Sequence, residues 1–244
     1  MTLTLEVRNL SFSYDGKSPI IDNISFSLEA GETLGIIGLS GCGKSTLCQC
    51  LCGIIPHIQS GIMQGDVFIQ GQNTRTLLLP RLATKIGMVF QDPESQLFLP
   101  LVESELAFGP ENLCMAPDKI RHIISRVAKL IKIEPLLCKS PNEISGGQQQ
   151  LVAMASVLCL DPEILILDEV TSQLDSESSE RILDIIMELK KLGKTIIMTD
   201  HNLKRLKVAD RILAMKDGQI LALGPASELL ENNAIIKKCF GLDE

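Results

Sequence analysis

Gly38-Leu39-Ser40-Gly41-Cys42-Gly43-Lys44-Ser45-Thr46 decides how this chain is read. The stretch has the spacing G-x-x-x-x-G-K-[ST], running from Gly38 through Gly43 and Lys44 to Ser45. The residues before it, Thr33 to Gly38, are apolar and predict a strand. The residues after it, Ser45 to Leu51, predict a helix. A strand, a glycine-rich loop and a helix start together form a phosphate cradle. Glycines let backbone N–H groups turn toward phosphate oxygens without an intervening Cβ. The helix start adds unpaired donors and the positive end of a dipole. Lys44 is expected to reach the β- and γ-phosphates, and the Ser45 hydroxyl to ligand Mg²⁺.

Further along, Ile164-Leu-Ile-Leu-Asp168 is an apolar run that ends in acid and suits a buried parallel strand. At such a strand end Asp168 is expected to help hold Mg²⁺, and Glu169 to orient and polarise the attacking water. Ser145-Gly146-Gly147-Gln148 opens a second helix, whose start also offers free N–H groups to an anion. One triphosphate does not need two helix starts from distant parts of one chain. Each chain is therefore expected to carry two half-sites that a second chain completes.

Strands are predicted at Leu3 to Tyr14, Ile24 to Leu28, Val67 to Gln70 and Thr195 to Thr199. Helices are predicted from Asp118 to Ile131, from Ser145 to Leu160 and from Ser176 to Leu192. Lys216-Asp-Gly218 between Arg211–Met215 and Gln219–Leu223 signals a hairpin. This alternation implies an α/β core with right-handed crossovers and one domain with a helical insertion at about 92–160.

With 45% hydrophobic residues in 244, the chain has material for a real core. A formal charge of −7 argues against broad nucleic-acid binding. No apolar run approaches the roughly 18 residues needed to span a bilayer. Met1-Thr-Leu-Thr-Leu-Glu6 shows no signal peptide, so a cytoplasmic location is expected, reached at a membrane only through a partner. The eight cysteines then read as free thiols. Cys48, Cys50 and Cys52 are expected to pack as small apolar side chains, with Cys50 pointing away from the other two. Cys42, inside the phosphate loop, is expected to make turnover sensitive to thiol reagents.

Gly38–Thr46, Ser145–Gln148, Leu165–Glu169, Ser172-Gln-Leu-Asp175 and His201 follow one another in the order and spacing of the ATP-binding-cassette (ABC) ATPases. The chain resembles that family over nearly its whole length. The resemblance implies a RecA-like phosphate-loop core (1–91 and 161–230), an antiparallel β-subdomain, a helical subdomain (92–160) and a short tail (231–244). It implies ATP and Mg²⁺ as ligands, and a head-to-tail pair with one ATP between Lys44 of one chain and Ser145 and Gly147 of the other. The ATP contacts it implies are Tyr14, Gly38, Ser40, Gly41, Cys42, Gly43, Lys44, Ser45, Thr46, Ser145, Gly146, Gly147, Gln148 and Asp175. Ser45, Gln91 and Asp168 would hold Mg²⁺. Glu169, His201, Lys44 and Gln91 would carry catalysis, with His201 beside the γ-phosphate. Tyr14 would stack on adenine, unless it is simply a strand-end aromatic. Asp175 reads both as a seam residue and as the cap of the helix at Ser176.

Phe90-Gln-Asp-Pro-Glu-Ser-Gln-Leu-Phe98, Val102–Asn112 and Leu51-Cys-Gly-Ile-Ile-Pro-His57 look like the ATPases of energy-coupling-factor (ECF) vitamin and metal-ion importers. That likeness implies a peripheral place on the cytoplasmic side of the membrane. Its partners would be a transmembrane coupling subunit, near Glu103, Glu105 and Phe108, and a substrate-binding membrane subunit. Several residues depart from the family pattern: Val170, Leu151, Gln173, Asp200 before rather than after the histidine, and a tail that ends soon after Gly241. These leave a weakly active cassette in a heterodimer, or a soluble non-transport ABC ATPase, as the alternatives.

Overall fold

A computed structural model describes residues 3–241. Met1, Thr2 and the last three residues of the expected tail lie outside them. In chain order the first elements are β1 (Leu3–Ser13), β2 (Ile21–Glu29), β3 (Thr33–Ile37), α1 (Lys44–Leu51), α2 (Ile54–His57), β4 (Ile62–Ile69) and β5 (Gln72–Asn73). Then come α3 (Leu79–Ala83), β6 (Ile86–Val89), α4 (Val102–Asn112), α5 (Pro117–Ile131), α6 (Gly146–Leu158) and β7 (Ile164–Asp168). The chain continues through α7 (Ser176–Lys191), β8 (Thr195–Thr199), β9 (Arg211–Lys216), β10 (Gln219–Pro225), α8 (Ala226–Leu229) and α9 (Asn233–Cys239).

The strands form two sheets. One is antiparallel, in the order β2-β1-β4-β5. The other runs β10-β9-β3-β8-β7-β6 and is parallel except for β10. Every residue of β3, β7 and β8 is buried, as central parallel strands covered on both faces require. One apolar cluster joins the antiparallel sheet to α1 and one face of the parallel sheet, through Leu5, Phe12, Leu47, Ile36 and Ile166. A second cluster packs α4 to α7 on the opposite face, through Leu106, Ile124, Val152, Leu165 and Ile186.

Sequence-based bounds are close for the central parallel strands and short for the antiparallel sheet. β2 starts at Ile21 rather than Ile24, and β4 at Ile62 rather than Val67. Polar positions in these strands face solvent on one side, so apolar runs mark only part of each strand. α6 ends at Leu158 rather than Leu160, and β1 at Ser13 rather than Tyr14. β6 lies outside the strands expected from the sequence. It has four residues, one of them Gly87, and it pairs in register with β7 from Ile86↔Ile164 to Val89↔Leu167.

Gly87 lets α6 approach that edge. A Cβ there would lie 2.3 Å from Val157 Cγ1 and 3.2 Å from Pro162 Cγ. Gly87→Ala should therefore lower the urea midpoint by the equivalent of about 1–3 kcal/mol, the usual cost of overpacking. Adding Val157→Ala should recover part of that loss. Additive losses in the double variant would contradict this packing.

Candidate active site

The parallel sheet sets the site before any side chain does. β3, β8 and β7 are neighbours with their carboxyl ends at one edge, and the register pairs Ile36 with Thr199 and Asp168 with Thr199. The phosphate loop, Asp168-Glu169 and Asp200-His201 therefore emerge side by side. The carboxyl edge of an open α/β sheet is where such folds bind ligands.

The loop is shaped by its last glycine. Gly43 caps α1 with φ 104°, and a Cβ there would sit 2.7 Å from Ile20 O. Lys44 is 4% exposed. Its Nζ donates to Gly38 O (3.0 Å) and Leu39 O (3.1 Å) and lies 3.5 Å from Glu169 Oε1. Ser40, Gly41, Gly43, Lys44, Ser45 and Thr46 line a cavity of about 300 Å³ with Ile20, Gln91 and Glu169.

Glu169 adopts φ 50°. A left-handed conformation costs a non-glycine residue about 1–2 kcal/mol. The surroundings offset it. Glu169 N–H donates to Thr199 Oγ1 (2.9 Å) and Thr199 O (3.2 Å), and His201 Nε2 lies 2.8 Å from Glu169 Oε1. A neutral hydrogen bond is worth about 0.5–1.5 kcal/mol net and one to a charged group about 1.5–3 kcal/mol, which offsets that cost. Thr199 Oγ1 also donates to Asp168 Oδ1 (2.7 Å), so one hydroxyl links both acids. Thr199 is not legible as a site residue in the sequence, because a strand-end threonine gives no signal without its neighbours.

Asp168 is buried, and burial pushes its carboxyl above the usual range despite hydrogen bonds from Thr199 and Ser45. A hard carboxylate beside a serine hydroxyl is the donor chemistry Mg²⁺ prefers. Among the described residues no group of three or more His, Cys, Asp or Glu side chains is placed to hold a metal ion.

Gln91 Nε2 donates to Ser172 Oγ (3.2 Å). Gln91 also lines a second cavity of about 360 Å³, with Gly146, Val170, Gln173 and Leu174. Two glutamines that the motif reading did not use anchor this loop. Gln96 Oε1 accepts from Phe90 N–H (3.2 Å), and Gln150 Nε2 donates to Phe90 O (3.0 Å).

Ser145 and Gln148 cap each other. Gln148 N–H donates to Ser145 Oγ (3.3 Å) and Ser145 N–H to Gln148 Oε1 (3.0 Å). A Cβ on Gly147 would lie 2.5 Å from Ser178 Oγ, so this glycine permits α6 to meet α7. Asp175 caps α7 by accepting from Ser178 N–H (2.9 Å) and Ser178 Oγ (2.8 Å), which holds its carboxyl below the usual range. Neither Ser145 nor Gly147 lines the 300 Å³ cavity around Lys44. Tyr14 does not line it either. Half-exposed, it stacks edge-on against Phe12 with centroids 4.8 Å apart.

Two expectations change. Cys42 is 8% exposed and burial raises its thiol, which disfavours the thiolate and argues against the thiol-reagent sensitivity expected. Glu105 is 4% exposed and accepts from the N–H groups of Phe98 and Leu99. It braces the loop before α4 instead of facing a partner. Glu103 and Phe108 do line an open groove of about 620 Å³ between α4 and α5. Val170 and Leu151 are buried, while Gln173 is exposed. All eight cysteines are free thiols, and burial raises Cys50 to about 12 and Cys52 to about 11.

Comparison with known proteins places these features in a family. A family model described as ABC transporter matches residues 21–172. The energy-coupling factor transporter ATP-binding protein EcfA of Methanosarcina acetivorans is 38% identical over 229 residues, covering 93% of this chain and 82% of that one. The structure of CbiO1 from Clostridium perfringens, described as part of the ABC transporter complex CbiONQ, superposes with a TM-score of 0.85. It is 31% identical, and the match covers 98% of this chain and 94% of that one. An ATP-binding cassette of an ABC transporter, solved in its ADP conformation, superposes with a TM-score of 0.84 over the full length of both chains. At 22% identity it bears on the fold alone.

The raised Asp168 carboxyl fixes the sign of one outcome. A folded-state pKa above the ordinary value favours the protonated form, so its contribution is fully present at low pH and is lost as pH rises through the folded value. At neutral pH the charged group is a cost to the nucleotide-free fold. Asp168→Asn should therefore melt no lower than wild type at pH 7 without nucleotide, with the gap narrowing toward about pH 4. The same variant should lose stabilisation by ATP with Mg²⁺. A clear drop in Tm at pH 7 would contradict the assignment.

Proposed function

The chain belongs to the ABC transporter family and is an ATP-binding, ATP-hydrolysing transport subunit, and we propose that it powers an importer of the energy-coupling-factor type. The likeness to EcfA and CbiO1 supports that type. A vitamin or a transition-metal ion is the proposed class of cargo, with selectivity residing in another polypeptide. No helix among the described residues is long and apolar enough to cross a membrane. The proposed place is the cytoplasmic face of a membrane, bound to integral subunits.

Three protein groups converge where the γ-phosphate would lie. Glu169 Oε1 is 2.8 Å from His201 Nε2 and 3.5 Å from Lys44 Nζ. This convergence carries the catalytic reading. Lys44 releases the Gly38 and Leu39 carbonyls and binds the β- and γ-phosphates. Loop N–H groups from Gly41 to Thr46 surround the β-phosphate. Glu169 orients a water in line with the γ-phosphorus and takes its proton. His201 donates its Nε2 proton to the charge that develops on the phosphoryl oxygens. Gln91, which lines the cavities of both Lys44 and Gly146, holds the water and senses the phosphate. Ser45, Asp168 and Gln91 would hold Mg²⁺, which would supply neutralisation of phosphate charge.

The separation of Ser145 and Gly147 from the Lys44 cavity supports a head-to-tail pair. In that pair the α6 start of a second cassette, identical or related, closes over the phosphate, and Asp175 lies along the seam. ATP shifts the population toward the closed pair, and hydrolysis releases it. The α4–α5 groove is proposed to seat helices of the coupling subunit. Phe98 and Phe108 beside it pack edge to face, with centroids 5.0 Å apart, and are 65% and 43% exposed. A patch of exposed aromatics at a groove suits an apolar partner.

Glu169→Gln tests the catalytic reading. Turnover should fall by about 10²–10⁴-fold while ATP still binds, as expected on removal of a general base. Size-exclusion chromatography in ATP should show accumulated pairs. Hydrolysis at the wild-type rate would refute the assignment.

A further inference from the structure

We propose that Asp200, with Thr171 and Arg205, is a positioning unit for hydrolysis that locks the turn after Glu169 to the turn carrying His201. This rests on the reading of Glu169 as base and His201 as phosphate donor. Neither Asp200, Thr171 nor Arg205 lines the cavity around Lys44, so the unit acts through those two residues.

The connections are specific. Asp200 and Thr171 are 4% and 2% exposed. Thr171 Oγ1 donates to Asp200 Oδ2 at 2.5 Å, and Asn202 N–H donates to Asp200 Oδ1 at 2.7 Å. Arg205 Nη1 donates to Thr171 O (3.2 Å) and Thr171 Oγ1 (3.1 Å) and lies 3.6 Å from Asp200 Oδ2. Arg205 Nη2 donates to Ser179 Oγ (3.2 Å), which ties the unit to α7. Thr171 is two residues beyond Glu169, and Asp200 immediately precedes His201.

A buried carboxylate is costly unless its oxygens are satisfied, and here both are. A fully satisfied polar network selects one arrangement of the segments it joins. The His201 side chain is 38% exposed, so packing alone does not fix it, and Glu169 sits in a left-handed turn that its neighbours must maintain. The network supplies that fixation from behind. It also gives a role to the acid that precedes the histidine, where the family order places one after it.

The test uses the chain assembled into its ATP-hydrolysing complex. It compares kcat, KM for MgATP and thermal stability of Thr171→Val, Thr171→Ser, Asp200→Asn and Glu169→Gln. Thr171→Val keeps the shape and removes the hydroxyl. It should lower kcat by about 10- to 100-fold, the scale of a small misplacement of reacting groups, with KM little changed. Thr171→Ser keeps the hydroxyl and should restore most of kcat. Asp200→Asn should behave like Thr171→Val. If it does not fold, the Thr171 pair decides. Wild-type kcat for Thr171→Val, equal losses for Val and Ser, or a rise in KM that accounts for the whole effect would each overturn the inference. Glu169→Gln separates the two readings. If it is inert while Thr171→Val is fully active, only the positioning unit fails. If Glu169→Gln itself turns over normally, the underlying site reading fails.

Discussion

The parallel alignment of β3, β8 and β7 is the constraint on which the site depends. It sets Thr199 between the phosphate-loop strand and Asp168. Thr199 then bonds Asp168 through its hydroxyl and Glu169 through both its hydroxyl and its carbonyl. A one-residue slip of a buried strand would turn each of these side chains to the opposite face. The apolar packing of the central strands thus does more than stabilise the fold. It fixes the distances between a lysine, two acids and a histidine that lie far apart in sequence.

Around this edge, secondary contacts restrain the loops. Gln150 and Gln96 hold the backbone of Phe90 next to Gln91. Glu105 gathers the N–H groups of Phe98 and Leu99 at the rim of the α4–α5 groove. One continuous segment therefore links Gln91, which lines the cavity around Lys44, to the exposed aromatics at the groove. Under the proposed function, this segment is the route between phosphate chemistry and a docked partner. Gly147 and Asp175 both meet Ser178, so α6 and the loop before α7 form one face.

The glycine-rich loop, Asp168-Glu169 and the capped start at Ser145 are legible in the sequence because each is a short run whose chemistry depends on local spacing. The central strands are legible because complete burial leaves uninterrupted apolar runs. β6 is not, since four residues with a glycine look like a loop until Val157 packs upon them. Thr199, Thr171 and Arg205 also escape notice. Their partners are 5 to 34 residues away, and a lone threonine or arginine carries no periodic signal. Glu105 reads as an exposed helical acid, yet the loop before α4 folds back onto it. Cys42 reads as reactive from its place in the loop, and burial lowers that reactivity.

Neither Ser145 nor Gly147 lines the cavity around Lys44 within one chain, and the proposed function accordingly has a second chain enclose the triphosphate. A crystal structure with a non-hydrolysable ATP analogue and Mg²⁺ tests this most directly. The account predicts two cassettes head to tail, with each γ-phosphate between Lys44 of one and Ser145 and Gly147 of the other. A γ-phosphate held by Lys44 and Ser145 of the same chain, or a single cassette in solution at saturating nucleotide, would contradict it.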